Sequence, residues 1–482
     1  MTDQIKTTAL KWINDHQTLV TDLHQRAWEL AEVGLQETRT SSLLAETLAA
    51  HGFALERGVA GMPTAFVATY TRGEGGPTLG VMAELDALPE LSQEALPYRQ
   101  VRKEGGAGHG CGHCGYAATA VGAAIAVKET MEAHDLAGTI KCFGCPAEET
   151  LVGKVFMVRD GVFDGLDACL GHHPGGAHAV PMGSSNAMNS VKFEFFGRAS
   201  HAAGSPEKGV SALDAVELMN IGVNYMREHV IQETRMHYVI EEGGHEPNVV
   251  PAYARSWYYV RAPERDLVDR YYEWVLRIAD GADLMTGTTH RVRFLTGAHN
   301  TIPNRPLAEL VIANMRDVGA PTYTEEELAF AAELGKSIDR QEKLTGLRQS
   351  SLPDALELLD VDLNRRIYDP YGEDRKGGGS TDVAEVSWNT PTVEFSTACF
   401  IVGSGGHSWQ NTAISGTTIA HKSTLFAAQA MATTVLDLLA QPEALARVRE
   451  DWEKRMTGRT YSSPLPPDLE PPLDQLEAHG AG

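Results

Sequence analysis

Apolar residues recur near helical spacing at Trp12, Leu19, Leu23 and Leu30, and a second amphipathic run covers 37–52. Residues 8–54 therefore predict two helices packed outside a sheet. Short apolar runs over 65–70 and 78–84 predict strands, the second leading into Asp86-Ala87-Leu88-Pro89. An alanine-rich stretch over 117–133 predicts a helix. Strands over 138–144 and 168–171 are expected to end at Pro146-Ala147-Glu148-Glu149 and at His172-His173-Pro174. Strand–helix–strand alternation of this kind predicts an α/β layer. Residues able to bind metal fall repeatedly just after predicted strands, where open α/β sheets place their sites.

From about residue 182 the pattern changes. An alternating strand over 191–196, a helix over 209–228, strands over 236–241 and 249–260, a helix over 265–279 and a strand over 290–294 follow one another. That β-α-β-β-α-β order is the ferredoxin-like arrangement. It divides the chain into a first part of a large domain (1–182), an inserted small domain (183–299) and the second part of the large domain (300–482). After residue 300 a helical stretch over 324–359 leads to the run Gly377-Gly378-Gly379-Ser380-Thr381-Asp382. A strand region over 392–402 comes next, then Gly403-Ser404-Gly405-Gly406-His407. The last twenty residues or so, rich in proline and acidic groups, are expected to drape over the surface.

Charge and cysteine usage narrow the function classes. A net charge of -23 over 482 residues disfavours nucleic-acid phosphate as a partner. The start, Met1-Thr2-Asp3-Gln4, leads into mixed polar sequence and predicts no secretory leader. Apolar stretches such as 117–127 are expected to be too short to cross a bilayer. Six cysteines in so long a chain form no disulfide framework, which fits a reducing cytoplasm.

The candidate chemistry starts at Gly108-His109-Gly110-Cys111-Gly112-His113-Cys114-Gly115. Glycine there lets the backbone bend tightly, and thiolate and imidazole suit zinc and other transition metals. Cys111, His113, Glu149, His173 and His407 come from four separated places and form one candidate ligand set. His109 and Cys114 are expected to support it from behind, because one turn rarely aims four side chains at a point. A rival structural zinc site would use Cys111, Cys114, Cys142 and Cys145. Cys142 and Cys145 straddle the end of a predicted strand, where positions three apart face opposite sides. A redox pair at Cys111 and Cys114 is the third reading. Glu148 beside Glu149 fits a general base next to a metal-bound water. The pair also fits an acidic first helical turn, and both can hold together.

These pieces stand in a familiar order. Glu84 to Pro89, Gly108 to His113, Pro146 to Glu149, Asp167 to His173, Gly197 to His201, Asn248 to Pro251, Gly379 to Asp382 and His407-Ser408 resemble the M20 metallopeptidases over nearly the whole chain. The resemblance is to the amidohydrolase branch that includes indole-acetyl-amino-acid hydrolases and aminoacylase-like carboxypeptidases. It implies a two-domain α/β metallohydrolase, with a mixed-sheet catalytic domain and an inserted ferredoxin-like α+β dimerisation domain. Two divalent metal ions, zinc or manganese, are then expected on Cys111, His113, Glu149, His173 and His407, with Cys111 bridging.

By the same resemblance Glu148 is the base and Asp86 orients a neighbouring histidine. His201 reaches the active site of the dimer mate and steadies the oxyanion, while Asn248 and Arg255 help hold substrate. His109, Cys114 and Asp382 would support the ligands. A homodimer, or a heteromer with a related subunit, and p-aminobenzoyl-glutamate as substrate are implied, with another N-acyl-amino-acid amidohydrolase or a non-catalytic partner subunit as alternatives. The chain departs from the family at Cys114, where an aspartate is frequent, at Thr381, where an acidic residue is frequent, and at Glu84, where the wider family has histidine. The adjacent His172 and His173 leave open which one ligates, and counting from Asp167 favours His173.

Overall fold

The computed structural model describes residues 2–376 and 378–473; Gly377 and the final stretch from 474, where part of the expected surface tail falls, lie outside it. Ten strands are described: β1 (Ala54–Arg57), β2 (Phe66–Arg72), β3 (Thr78–Glu84), β4 (Gly138–Cys145), β5 (Ala168–Gly175), β6 (Ala187–Phe196), β7 (Arg235–Glu242), β8 (Tyr253–Ala262), β9 (Thr289–Ala298) and β10 (Thr392–Ala398). They form a six-stranded sheet ordered β1-β2-β4-β3-β5-β10 and a four-stranded sheet ordered β7-β8-β6-β9. In the large sheet β4, β3, β5 and β10 run parallel, whereas β1 and β2 pair antiparallel. The fold is α/β, with a mixed six-stranded sheet and a separate antiparallel sheet.

The parallel strands are covered on both faces, as such sheets require. The helix His113–His134 is buried on nearly every side, because its residues are apolar all round. Helix Thr418–Ala440 packs beside it in the same core. Contrary to the expectation from apolar run length, Thr418–Ala440 is long and apolar enough to cross a bilayer, yet it is buried inside the protein. In the small sheet every pairing is antiparallel. Val191, Phe193, Phe195, Ala254 and Tyr258 pack against helices Ala212–Met226 and Arg265–Thr286 on one face.

Element boundaries differ from the sequence reading for local reasons. The N-terminal region makes three helices, Thr2–Asp15, Gln17–Leu30 and Thr38–Ala50. The small-domain helix starts at Ala212 because Ser211 caps it, accepting from the Asp214 N–H. Pro251 lies ahead of β8, which begins only at Tyr253. The 324–359 stretch resolves into helices Glu325–Gly335 and Arg340–Gln349 with a short 3-10 turn, the first opened by a Thr324–Glu327 capping box. β5 runs on through His172 and His173, so these histidines lie within a strand rather than after it.

Candidate metal centre

The loop before helix His113–His134 follows its glycines. A Cβ on Gly108 would lie 2.1 Å from the Leu91 carbonyl oxygen, and Gly112 sits at φ +82° against Pro174 and Phe400. No other residue fits both places. This bend brings Cys111 Sγ to 3.2 Å from His173 Nε2 and leaves His113 as the first helical residue.

Asp86, just beyond β3, ties the centre together. His113 Nδ1 donates to the Asp86 backbone oxygen (2.9 Å) and carboxylate (3.1 Å), and Asp86 Oδ2 accepts from the Glu149 N–H at 3.0 Å. A histidine held through Nδ1 presents Nε2 to a metal. His113 Nε2 is buried without a hydrogen bond, as is Glu149 Oε1. His173 repeats the arrangement, its Nδ1 donating to the Pro174 carbonyl at 2.8 Å.

Cys111, His113 and His173 form one group able to hold a metal ion, and Cys111, Glu149 and His407 form a second. Within each group the donor atoms lie within 4.8 Å of one another. Thiolate, imidazole and carboxylate donors around a shared sulfur fit two divalent ions. Burial opposes ionisation of Cys111, but the imidazoles of His173, His113 and His407 beside it hold its thiol well below the ordinary range. Burial likewise opposes charge on His113 and His173, yet Glu84 and Asp86 raise the first and Cys111 the second. A metal takes the place of these protons. Burial pushes Glu149 up to about 9 and Glu148 well above the carboxylate range.

The structure places the other expected residues as follows. Glu148 is buried, with Oε2 3.9 Å from His113 Nε2. His407 is exposed and takes φ +55° at the end of its glycine run, with Nε2 3.3 Å from Glu149 Oε2. His172 points to the opposite face of β5 and bonds Thr397 Oγ1 at 2.7 Å, so it takes no part in these groups. His109 Nε2 donates to the Ala27 carbonyl at 3.0 Å. Cys114 is fully buried beside His24, Ala27 and Trp28, and burial pushes its thiol up to about 12. The four-cysteine alternative fails because Cys142 and Cys145 belong to separate cores, and all six cysteines are free.

His201, Asn248 and Arg255 sit in or beside the small sheet and join neither group. His201 Nδ1 accepts from the N–H groups of Ala203 (3.2 Å) and Gly204 (3.1 Å), which leaves the proton of a neutral ring on the exposed Nε2. The Asn248 backbone carbonyl accepts from the Ala202 N–H at 2.9 Å, next to His201. Arg255 is tied to Glu241 at 2.8 Å rather than free.

Two residues take part to which the sequence reading gave no role: Glu84, noted there only as a departure from the family, and Lys154. Glu84 lies 3.2 Å from His113 Nε2 and forms a third group with His113 and Glu148. Lys154, wholly buried, pairs with Glu84 at 2.8 Å and Asp382 at 2.5 Å, so Asp382 reaches His113 only through Lys154 and Glu84. Burial pushes the Asp382 carboxyl up to about 7, and burial opposes charge on Lys154 less than Asp382 and Glu84 favour it. A lone lysine amid Val152, Val155, Phe156 and Val158 was the available signal.

Peptidase family M20/M25/M40 matches residues 80–343. This chain belongs to that family. As an M20 protein with these metal groups, it is a metal-dependent amide hydrolase that uses divalent metal. It is 37% identical over 460 residues to a subunit of the p-aminobenzoyl-glutamate hydrolase of Escherichia coli (strain K12), covering 94% of this chain and 95% of that protein. Xaa-Arg dipeptidase of Mus musculus is 27% identical over 470 residues, covering 94% of this chain and 93% of that one. The crystal structure of a putative aminohydrolase from methicillin resistant Staphylococcus aureus shares the fold, with a TM-score of 0.61 at 19% identity over 90% of this chain and all of that one.

Proposed function

We propose that this M20 enzyme cleaves p-aminobenzoyl-glutamate to p-aminobenzoate and glutamate. The observation that carries the reading is Glu148, whose buried carboxyl stands 3.9 Å from His113 Nε2, beside the two donor groups that share Cys111. The choice of substrate draws on the near full-length similarity to the p-aminobenzoyl-glutamate hydrolase of Escherichia coli. A cavity of about 560 Å³ has His173 in its lining together with Pro174, Met182, Tyr371, Arg375 and Thr381. Its size is that of a small-molecule site. Apolar walls suit a flat aromatic acyl group.

Cys111, His113, Glu149, His173 and His407 would hold two divalent metal ions in this reading. Bound divalent metal supplies Lewis acidity, polarising a carbonyl and acidifying water. Glu148 takes the proton of the attacking water and passes it to the leaving amine nitrogen. His201, carried by the small domain of a dimer mate, donates Nε2–H to the oxyanion of the tetrahedral intermediate. Exposed Ile221, Tyr225, Val239 and Ile240, on helix Ala212–Met226 and edge strand β7, supply the apolar surface for that homodimer.

The test is steady-state hydrolysis by the metal-loaded enzyme across a panel of N-acyl amino acids and Xaa-Arg dipeptides. p-Aminobenzoyl-glutamate is expected to give the highest kcat/KM. A higher value on a dipeptide or on another acyl group overturns the substrate and leaves the amidohydrolase intact.

A further inference from the structure

The short loop that carries Glu148 and Glu149 is strained at both ends. Ala147 sits at φ +53° and Leu151 at φ +56°, in the left-handed region that side chains other than glycine disfavour. Such conformations persist only where surrounding structure enforces them. Two carboxyl groups grip the loop on either side of Glu148. The Ala147 N–H donates to Glu37 Oε1 at 2.8 Å, and the Glu149 N–H donates to Asp86 Oδ2 at 3.0 Å.

Asp86 has evident work in orienting His113, but Glu37 touches no metal-binding group. It is fully buried at the head of helix Thr38–Ala50 and makes no side-chain bond that caps it. Burying a carboxyl is costly without a partner, and its partner here is the Ala147 peptide. The residues just before Glu37 run beneath the centre. The Ala87 N–H donates to the Glu32 carbonyl at 2.7 Å, and Val33 bridges Ala87. At Gly34 a Cβ would lie 3.0 Å from the Ala147 Cβ. Residues 32–37 therefore brace both the chain just after Asp86 and the loop that carries Glu148.

We propose that Glu37 is a positioning residue whose carboxyl clamps the Ala147 peptide in its left-handed conformation and thereby aims Glu148. The proposal rests on Glu148 being the general base. Burial, then the nearby Asp86, raises Glu37 to about 8, and a glutamine keeps the oxygen that accepts from the Ala147 N–H.

Glu37→Ala is expected to lower kcat about 10- to 100-fold, with KM and bound metal nearly unchanged, because a misaimed reacting group costs that much. Glu37→Gln keeps the acceptor and is expected to hold kcat near wild type. Glu37→Ala/Ala147→Gly is expected to recover part of the loss, since glycine adopts positive φ without strain. Wild-type kcat in Glu37→Ala, even with a lowered Tm, overturns the proposal, and so does a Glu37→Gln variant as slow as Glu37→Ala. If Glu37→Ala does not fold, Gly34→Ala presses a methyl onto Ala147. Reduced kcat with metal retained then supports the proposal, and unchanged kcat overturns it. Wild-type turnover by Glu148→Gln would instead remove the base assignment, whatever the Glu37 variants do.

Discussion

The groups around the metal centre and the loop around His201 achieve fixed geometry by opposite means. On the large sheet, Asp86, His113, Glu84, Lys154 and Asp382 are buried and hold one another through hydrogen bonds and ion pairs. In the small domain His201 is exposed, and its own turn fixes its tautomer through two backbone N–H groups. Burial makes the first region a single network, in which losing one member strands the others. A local turn makes the second portable, because its aim does not depend on distant packing.

Four substitutions probe that contrast. Glu148→Gln is expected to lower kcat by about 10³- to 10⁴-fold while bound metal, read by elemental analysis, stays at the wild-type level. Lys154→Met leaves Glu84 and Asp382 buried without their cation and is expected to destabilise the fold by about 3–5 kcal/mol in calorimetry. His201→Ala is expected to cut kcat about 10²- to 10³-fold with Tm and metal content unchanged. Mixed dimers of His201→Ala with Glu148→Gln should regain activity, and their failure to do so would rule out donation between subunits. Cys114→Ala, the smallest effect, is expected to cost about 1 kcal/mol of stability with kcat preserved. Loss of metal in that variant would break the separation between Cys111 and Cys114.

The ligand groups were legible because glycine frames two of their segments and because thiol and imidazole are scarce side chains. The α/β and ferredoxin-like patterns were legible from the period of their apolar residues. Strand β1 was not, since Ala54–Arg57 is short, mostly exposed and at the sheet edge. In a linear reading Glu37 is an acid at a helix head, and Lys154 stands out only by its apolar neighbours. Their roles arise from contacts with Asp382 and Ala147, residues more than a hundred positions away along the chain. Arg255, a basic residue expected from the sequence to help hold substrate, is paired with Glu241 in the structure.

The neighbouring imidazoles of β5 make strand pairing a reading frame for the chemistry. His172 pairs with Phe395 and His173 with Ser396, while Leu170 aligns with Val81 on the other side. A slip of one residue would turn His172 toward Cys111 and bury His173 against Phe395. The composition would be unchanged and the strand would still be apolar enough to pair. Fidelity of folding and possession of the metal centre are therefore one property in this protein, enforced by two neighbouring strands that lock β5 between them.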